Sequence, residues 1–283
     1  MKEILIISGK GGTGKTTLTA SVAKYMSKKV ICDADVDAAD MFLLMKPEIK
    51  KKMAFKGKSV AIINNELCTS CDLCRKHCRF DAIDVINGNY TINPYSCDGC
   101  TLCTLVCPAN AIKMEQMTVG EWYVSQTEYG KMVHAKLFPG AENSGNLVTM
   151  VKRQAHMLAE EENAEFVIVD GPPGIGCPVT SALSGANIAI IVTEPTFSGI
   201  HDLERVYETA IHFKTTVWIV INKYDLNLKN SEKIEKFARE KGIDVVKKIP
   251  FSKCIIDSVV RGEIPADNCP ELRVVVENLI NNF

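Results

Sequence analysis

Ten residues near the start of the chain restrict its possible folds more than any other feature. Residues 8–17 read Ser-Gly-Lys-Gly-Gly-Thr-Gly-Lys-Thr-Thr, and the part from Gly9 to Thr16 fits the pattern G-x-x-x-x-G-K-[ST]. The apolar residues 4–7 before it predict a buried strand, and residues 15–27 after it predict a helix. Glycines let backbone N–H groups turn inward, and the helix points its positive end at the same place. The segment therefore predicts a loop that wraps around phosphate groups.

The residues of this loop have distinct expected roles. Lys15 is expected to reach the β and γ phosphates of a nucleotide, and the Thr16 hydroxyl is expected to bind Mg²⁺. The other residues expected to contact the nucleotide are Gly11, Gly12, Thr13, Gly14 and Thr17.

Most of the remaining chain alternates between two patterns. Short apolar runs predict strands at residues 30–33, 166–170, 188–193, 217–222 and 245–249. Amphipathic stretches predict helices at residues 147–163, 199–214, 231–241 and 270–281. This alternation is typical of the α/β class with a mostly parallel, doubly wound sheet. Residues 36–56 are predicted to be helical and then irregular, and residues 118–137 form a mixed stretch.

Several carboxylates follow predicted strands. Asp33 and Asp35 come at the end of the second strand, and Asp170 ends the strand at residues 166–170. Ligands of open α/β sheets sit at the carboxyl ends of the strands, so these side chains can orient an attacking water or bind Mg²⁺ through water. Asp33 is expected to support the metal from outside its direct ligands. Asp37 and Asp40 are expected to be charges at a helix N-terminus.

Cysteine is concentrated in one part of the chain. Eight of the 12 cysteines lie between residues 68 and 107, in two C-x2-C-x2-C-x3-C runs that start 29 residues apart. Ala82-Ile83 and Ala111-Ile112 keep the same offset, so the segment is an internal duplication. In such pairs of runs the fourth cysteine binds the other [4Fe–4S] cluster. The spacing therefore predicts one cluster on Cys68, Cys71, Cys74 and Cys107, and a second on Cys97, Cys100, Cys103 and Cys78.

Zinc binding and disulfide formation fit these cysteines less well. Structural zinc usually uses two C-x2-C pairs separated by a longer loop, whereas this chain has two complete four-cysteine runs. A secreted disulfide protein is small and rich in cysteine throughout. Clustering inside an apparent nucleotide-binding enzyme instead indicates metal binding in a reducing cytoplasm. Arg79 follows Cys78 where proline is usual, and Cys32, Cys254 and Cys269 are predicted to be packing residues.

The motifs together resemble the MinD/ParA superfamily of P-loop ATPases, which includes the nitrogenase iron protein and Mrp-type iron–sulfur carriers. The resemblance rests on residues 10–17 (KGGTGKTT), 120–125 (GEWYVS), 170–178 (DGPPGIGCP) and 194–196 (EPT). It is strongest to members that contain an inserted two-cluster ferredoxin domain. It implies a three-layer α/β/α P-loop fold whose ATPase domain comprises residues 1–59 and 117–283. Residues 60–116 would then form an α+β ferredoxin-like insertion.

The same resemblance implies further roles at the nucleotide site. Lys10 would reach the nucleotide of a partner across a dimer interface, as an arginine finger does. Asp35 matches the aspartate that orients the attacking water, and Asp170 matches the aspartate that holds Mg²⁺ through water. Asn222 would contact adenine, together with backbone near Pro250. Read literally, Asn222-Lys223-Tyr224-Asp225 is also the guanine-reading N-K-x-D pattern, so ATP is favoured and GTP stays an alternative.

Cys177 lies seven residues after Asp170, where the nitrogenase iron protein carries a cysteine that binds a cluster shared between subunits. That protein needs a second cysteine before its Walker B strand, and this chain has none between Cys107 and Cys177. A bridging role and a small packed side chain therefore both stay open.

Three functions are compatible with these features. We expect ATP hydrolysis coupled to electron transfer through two [4Fe–4S] clusters, with an unidentified redox partner protein. The alternatives are a carrier ATPase for iron–sulfur clusters and a MinD/ParA-like positioning ATPase with a redox-sensing insertion. The resemblance implies an ATP-dependent homodimer, or a heterodimer with a paralogue.

Composition bears on the location and partners of the chain. A net charge of -1 gives no basic excess for nucleic acid. The apolar runs are too short to span a bilayer, the end of the chain has no basic cluster, and the start has no signal peptide. We therefore expect a cytoplasmic protein that does not associate with membranes.

Overall fold

The computed structural model describes residues 1–141 and 144–283. The strands of these residues are β1 (Lys2–Ser8), β2 (Lys29–Asp33), β3 (Glu48–Ile63), β4 (Ile83–Ile86), β5 (Asn89–Ile92), β6 (Ile112–Thr127), β7 (Gly130–Leu137), β8 (Phe166–Pro173), β9 (Ile188–Thr193), β10 (Thr216–Asn222) and β11 (Val246–Ile249). The α-helices are α1 (Lys15–Tyr25), α2 (Met41–Met45), α3 (Leu73–Lys76), α4 (Leu102–Leu105), α5 (Ser144–Glu161), α6 (Cys177–Leu183), α7 (Phe197–His212), α8 (Leu228–Glu240), α9 (Lys253–Val260) and α10 (Pro270–Ile280).

The described chain divides into two compact units. The nucleotide unit comprises Met1–Lys52, Trp122–Lys136 and Ser144–Phe283. The cysteine unit comprises Met53–Glu121 and a segment that begins at Leu137. The cysteine unit contains the whole stretch from residue 60 to residue 116.

The main sheet has the strand order β11-β10-β9-β1-β8-β2-β7-β6-β3. Every pair from β11 to β7 is parallel. β1 lies inside the sheet, and Ile4, Leu5, Ile6 and Ile7 are all fully buried. Parallel strands covered on both faces are apolar at successive positions, which explains why β1, β8 and β9 read as continuous hydrophobic runs.

Helices cover both faces of this sheet. Ile4, Ile6 and Ile168 belong to one core cluster with Leu18 of α1 and Leu272 of α10. Helices α5, α6 and α7 contact β2, β8 and β9 and cover the opposite face of the sheet. The prediction of a three-layer α/β/α fold with a mostly parallel sheet is therefore confirmed.

The C-terminal helix packs on the nucleotide unit. Leu272, Val275, Val276 and Leu279 of α10 are buried, and α10 contacts α1 and β11. Among the helices that the structure describes, none combines the length and the apolar character that a membrane span requires.

The sequence-based expectation for residues 36–56 was wrong in part. Only the five residues of α2 are helical, and β3 starts at Glu48. β3 is the last strand in the sheet order and its first five residues are exposed, including Lys50, Lys51 and Lys52. Edge strands often carry lysine, which limits pairing with other chains. Such a segment lacks the apolar alternation that marks a strand, so hydrogen bonding to the neighbouring strand decides its structure.

The cysteine unit has a small core of its own. β4 and β5 form an antiparallel pair, and α3 and α4 each span four residues. Val60, Ala82, Ile83, Tyr90 and Ile112 are buried in one cluster, in which Cys74 and Cys97 are also buried.

Candidate nucleotide and cysteine sites

The phosphate loop connects the end of β1 to the start of α1. Gly12 and Gly14 have φ values of 78° and 91°, a backbone region in which residues with a side chain are strained. A Cβ atom on Gly14 would lie 2.5 Å from Nδ2 of Asn222. A Cβ on Gly11 or Gly12 would meet no atom within 4 Å, because both residues face open space. The loop thus offers an open cradle of backbone at the N-terminus of α1, which suits a phosphate group.

Lys15 lies among carboxylates. Its Nζ atom is 2.8 Å from Oδ2 of Asp35 and 3.8 Å from Oδ2 of Asp170, and the lysine is 6% exposed. Burial lowers the pKa of Lys15, but the charges of Asp170 and Asp35 outweigh it, so the pKa is raised overall. Lys15 is therefore charged at neutral pH and available for an anion.

Asp170 is held by two hydroxyl groups of α1. Thr16 Oγ1 donates to Oδ2 at 2.7 Å, and Thr19 Oγ1 donates to Oδ1 at 2.8 Å. Burial raises the pKa of Asp170 against the opposing effect of Lys15, and burial together with Asp170 and Asp35 raises the pKa of Asp33. Buried carboxylates that lack enough positive charge favour a cation. Thr19 was not identified from the sequence, although it lies one helical turn after Lys15 on the same face.

Two cavities adjoin the loop. One is lined by Gly11, Gly12, Gly14, Lys15, Thr16, Thr17, Asp35, Ala38, Asp40, Leu43, Leu44, Pro173 and Val259. The other is mostly apolar and is lined by Gly12, Gly14, Thr17, Leu18, Asn222, Lys223, Ile249, Ile255, Ile256, Val259, Val260 and Leu272. Helix α9 contributes side chains to both, and sequence reasoning missed it because its apolar residues resemble ordinary core positions. Asp40 precedes α2, in agreement with its expected place at a helix N-terminus.

Asn222, Asp225 and Pro250, the residues considered for base recognition, have different contacts. Asn222 Nδ2 donates to the carbonyl oxygen of Thr13 at 2.7 Å, which links β10 to the phosphate loop. Asp225 Oδ1 accepts from the backbone N–H of Phe251 at 2.7 Å. Ile249 lines the apolar cavity, whereas Pro250 does not. Contact between adenine and the backbone near Pro250 stays a prediction.

Lys10 is engaged within its own chain. Its Nζ atom lies 3.3 Å from Oε2 of Glu194 and 3.4 Å from Oγ1 of Thr196. Glu194 also pairs with Lys223 at 2.7 Å. Burial raises the pKa of Glu194, but Lys223 and Lys10 outweigh it and lower the pKa overall. Residues 194–196 contribute to the family resemblance, but the sequence alone assigned no role to Glu194.

The cysteines of the nucleotide unit occupy three different settings. Cys177 is exposed at the start of α6, and Cys32 is buried in β2. Cys254 and Cys269 form a disulfide that joins α9 to the residue before α10. The prediction that these two thiols only pack is therefore wrong, since the fold of α9 brings together residues 15 positions apart.

The eight clustered cysteines form two groups in the cysteine unit. One cavity is lined by Cys68, Cys71, Cys74 and Cys107, which we call the first quartet. A second cavity is lined by Cys97, Cys100, Cys103 and Cys78, the second quartet. Burial raises the pKa of Cys74, and its quartet neighbours raise it further. Burial and the neighbours Cys97 and Cys100 act in the same way on Cys103.

The backbone around the two quartets is duplicated. Ala82 N–H donates to Sγ of Cys78 at 3.4 Å, and Ala111 N–H donates to Sγ of Cys107 at 3.3 Å. Asn64 N–H donates to the carbonyl of Ala111 and Asn93 N–H donates to that of Ala82, both at 2.8 Å. The same pattern of hydrogen bonds thus occurs twice. All eight thiols are free of disulfides.

No group of three or more His, Cys, Asp or Glu side chains in residues 1–141 and 144–283 is arranged to hold a metal ion. The four thiols of each quartet line a single cavity. A chemical donor set of four thiols with N–H groups directed at sulfur suits an iron–sulfur cluster.

Comparisons with known proteins agree with the nucleotide unit. The family profile described as the CobQ/CobB/MinD/ParA nucleotide binding domain matches residues 4–266. An uncharacterized protein of Methanocaldococcus jannaschii is 36% identical over 231 residues, which are 80% of this chain and 79% of the relative. A second uncharacterized protein of the same organism is 26% identical over 278 residues, covering 93% of this chain and 92% of the relative.

A solved structure has the same fold. It is the septum site-determining protein MinD of Pyrococcus horikoshii, complexed with Mg-ADP. The two superpose with a TM-score of 0.53 at 18% identity, over 95% of this chain and 89% of that one. The phosphate loop, the carboxylates at the strand ends, the three-layer fold and the matched profile lead to one conclusion: this chain belongs to the CobQ/CobB/MinD/ParA family of nucleotide-binding domains.

Proposed function

We propose that this chain is an ATPase in which the nucleotide state is coupled to electron transfer through two [4Fe–4S] clusters. Family membership supports nucleotide binding and ATP hydrolysis. The single observation that carries the redox part is the division of eight thiols into two quartets around two cavities. When bound, the clusters would accept and donate single electrons; the residues Cys68, Cys71, Cys74 and Cys107 would hold one, and Cys97, Cys100, Cys103 and Cys78 the other.

At the nucleotide site, binding requires Lys15 to change partner. Its ammonium group pairs with Asp35 at 2.8 Å. A phosphate in the loop would attract Lys15 and release Asp35, which would then be free to orient a water molecule. Mg²⁺ would be held by Thr16 and, through water, by Asp170, with Asp33 behind them. The cation would favour the ionised carboxylates that burial disfavours.

Lys10 would take part after a similar exchange. Its contacts with Glu194 and Thr196 hold it within its own chain at distances of 3.3 and 3.4 Å. In an ATP-dependent dimer, Lys10 would leave Glu194 for the nucleotide of the partner. The partner is a second copy of this chain or a paralogue, and the occurrence of two relatives in one organism supports the second option.

The base favoured by the proposal is adenine. Asp225 uses Oδ1 to accept the backbone N–H of Phe251, so this oxygen is not free to accept from a guanine ring. The cavity beside Asn222 is mostly apolar, which suits a base that offers few polar atoms. ADP is expected to bind more tightly than GDP in equilibrium titrations, and a preference for GDP would reverse this assignment.

The nucleotide site and the cysteine unit would be coupled through the segment of the chain that connects them. The segment from Asp35 to Asp40 leads to α2 and then to β3, which begins at Glu48 and ends at Ile63. A change at Asp35 on nucleotide binding would be transmitted along this covalent path. The redox partner protein would exchange electrons with the cysteine unit.

The test is a pair of reciprocal measurements on the anaerobically reconstituted full chain. Midpoint potentials are recorded with ADP and with a non-hydrolysable ATP analogue, and ATPase rates are recorded with oxidised and with reduced protein. We expect the nucleotide state to change the midpoint potentials, and the oxidation state of the clusters to change the ATPase rate. The matched control is Lys15→Met, which should abolish the nucleotide effect on the potentials while the iron content stays unchanged.

The measurements separate the proposal from its competitors. If the clusters form but neither measurement responds to the other, the coupling is refuted and a MinD/ParA-like positioning ATPase with a redox-sensing insertion becomes the better description. That second candidate is favoured by the family match itself. Rapid transfer of iron and sulfide to an apo-acceptor would instead favour a cluster carrier.

A further inference from the structure

The two halves of the cysteine unit have cysteines at equivalent positions, but they differ in the residues beside those cysteines. Asp72 and Thr101 occupy equivalent places 29 residues apart, each between the second and third cysteine of its run. Both have a φ value of 65°, so the backbone is duplicated at this position. One half therefore carries a carboxylate where the other carries a hydroxyl group.

Asp72 is fixed in place by several donors. Its Oδ1 atom accepts from Arg75 Nε at 2.7 Å and from the hydroxyl of Tyr90 at 2.9 Å, and its Oδ2 atom accepts from Arg75 Nη2 at 3.1 Å. Lys76 lies 3.8 Å from Oδ2. Both Asp72 and Tyr90 line the cavity of the first quartet.

Tyr90 is itself held rigidly. It is 7% exposed, and its backbone N–H and carbonyl groups both bond to the side chain of Asn65, at 3.1 and 3.2 Å. The residue equivalent to Tyr90 is Ala61, which lines the cavity of the second quartet and has no hydroxyl group. Arg75 is likewise replaced by Thr104. Neither group that positions the carboxylate at the first quartet therefore has a counterpart at the second.

The second quartet has a carboxylate of a different kind. Asp98 lines its cavity but follows the first cysteine of the run and is exposed. An exposed carboxylate is strongly screened by water, whereas a carboxylate held by several hydrogen bonds keeps a constant distance from the site that it adjoins.

We propose that Asp72 is the positioning residue that gives the two clusters different reduction potentials. The inference rests on the proposed function, since it requires both quartets to hold a [4Fe–4S] cluster. A fixed negative charge disfavours the gain of an electron, and nearby charge and hydrogen bonding are among the main determinants of cluster potential. Asp72 lowers the potential of the cluster at the first quartet relative to a neutral residue at the same position.

The experiment compares four forms of the full chain after anaerobic reconstitution: wild type, Asp72→Asn, Thr101→Asp and Asp98→Asn. Iron and sulfide are counted first, and two midpoint potentials are then measured by redox titration followed with electron paramagnetic resonance. Asn keeps the size of Asp72 and an oxygen that accepts from Tyr90. Asp72→Asn should move one potential to a more positive value and leave the other unchanged.

The remaining forms identify the cluster that responds. Thr101→Asp should move the other potential to a more negative value, because it adds the carboxylate to the second half. Asp98→Asn also removes one negative charge. It should move the potential of the second cluster to a more positive value, by a smaller amount than Asp72→Asn moves the potential of the first cluster. Equal shifts of both potentials in Asp72→Asn, or no shift, would overturn the inference.

The outcomes distinguish this inference from the function on which it rests. Wild-type protein that takes up fewer than about eight iron atoms would refute the two-cluster function, and the inference would fall with it. If the protein takes up all of the iron but its potentials do not respond to the substitutions, only the inference about Asp72 is refuted. If Asp72→Asn does not take up iron, Thr101→Asp decides, and the absence of a negative shift there overturns the inference.

Discussion

Gly14 is the position in the phosphate loop where a single added carbon atom should have the largest effect. Its φ value of 91° places it in a region that disfavours side chains, and an added Cβ would lie 2.5 Å from Nδ2 of Asn222. Gly12 shares the positive φ, at 78°, but would meet nothing within 4 Å. Gly11 has neither constraint. Alanine substitutions at Gly11, Gly12 and Gly14 therefore separate backbone strain from collision.

The magnitudes follow from these two effects. An L-residue in the left-handed region costs about 1–2 kcal/mol, which applies to Gly12→Ala and to Gly14→Ala. Gly14→Ala must also displace Asn222, whose amide would lose its 2.7 Å hydrogen bond to Thr13. That loss is worth about 1 kcal/mol. Alanine restricts the unfolded chain equally at all three positions, so this contribution cancels when the variants are compared with Gly11→Ala.

The assay is urea unfolding of the ligand-free protein followed by tryptophan fluorescence. Trp122 and Trp218, the two tryptophans of the chain, both belong to the nucleotide unit. Relative to Gly11→Ala, we expect a loss of about 1–2 kcal/mol for Gly12→Ala and about 2–3 kcal/mol for Gly14→Ala. In an Asn222→Ala background, Gly14→Ala should cost no more than Gly12→Ala. Equal stability of the two variants in the wild-type background, or an undiminished difference without Asn222, would refute the reasoning.

Two further predictions concern His134 and the disulfide. Burial lowers the pKa of His134 to about 4 from 6.5, so the unfolded state binds more protons between these values. Its stabilising contribution, at most about 3 kcal/mol, is complete above pH 6.5 and is lost as the pH falls toward 4. Unfolding measured against pH should show a flatter acid limb for His134→Gln, and identical limbs would contradict this. The disulfide between Cys254 and Cys269 closes a loop with a separation of 15 residues. A reductant should lower the free energy of unfolding by about 3 kcal/mol in the wild type and should leave that of Cys254→Ser unchanged. Equal responses of the two proteins would argue against the bond.

Much of the fold could be predicted because local pattern and tertiary environment agree. The apolar runs at β1, β8, β9 and β10 are buried on both faces, so hydrophobicity marks them directly. β3 could not be predicted, because an exposed edge strand owes its structure to its neighbour's hydrogen bonds and carries lysines that resemble a loop.

The candidate sites divide in the same way. The phosphate loop and the cysteine runs are local motifs, in which spacing along the chain restricts the geometry, and both were found from the sequence. Partnerships between distant residues were not. Glu194 meets Lys10 and Lys223 only because the ends of β1, β9 and β10 lie side by side, and Asp225 meets Phe251 across 26 positions.

The sequence by itself determined the family, the phosphate loop, the three-layer parallel fold and the duplication of the cysteine runs. Each depends on residues close together in the chain or on hydrophobic periodicity. Only the tertiary structure decided that Lys15 rests on Asp35, that Lys10 is held by Glu194, and that Asp72 is fixed by Arg75 and Tyr90. Such contacts depend on how strands and helices pack, and the pattern of residues along the chain carries no direct record of those distances.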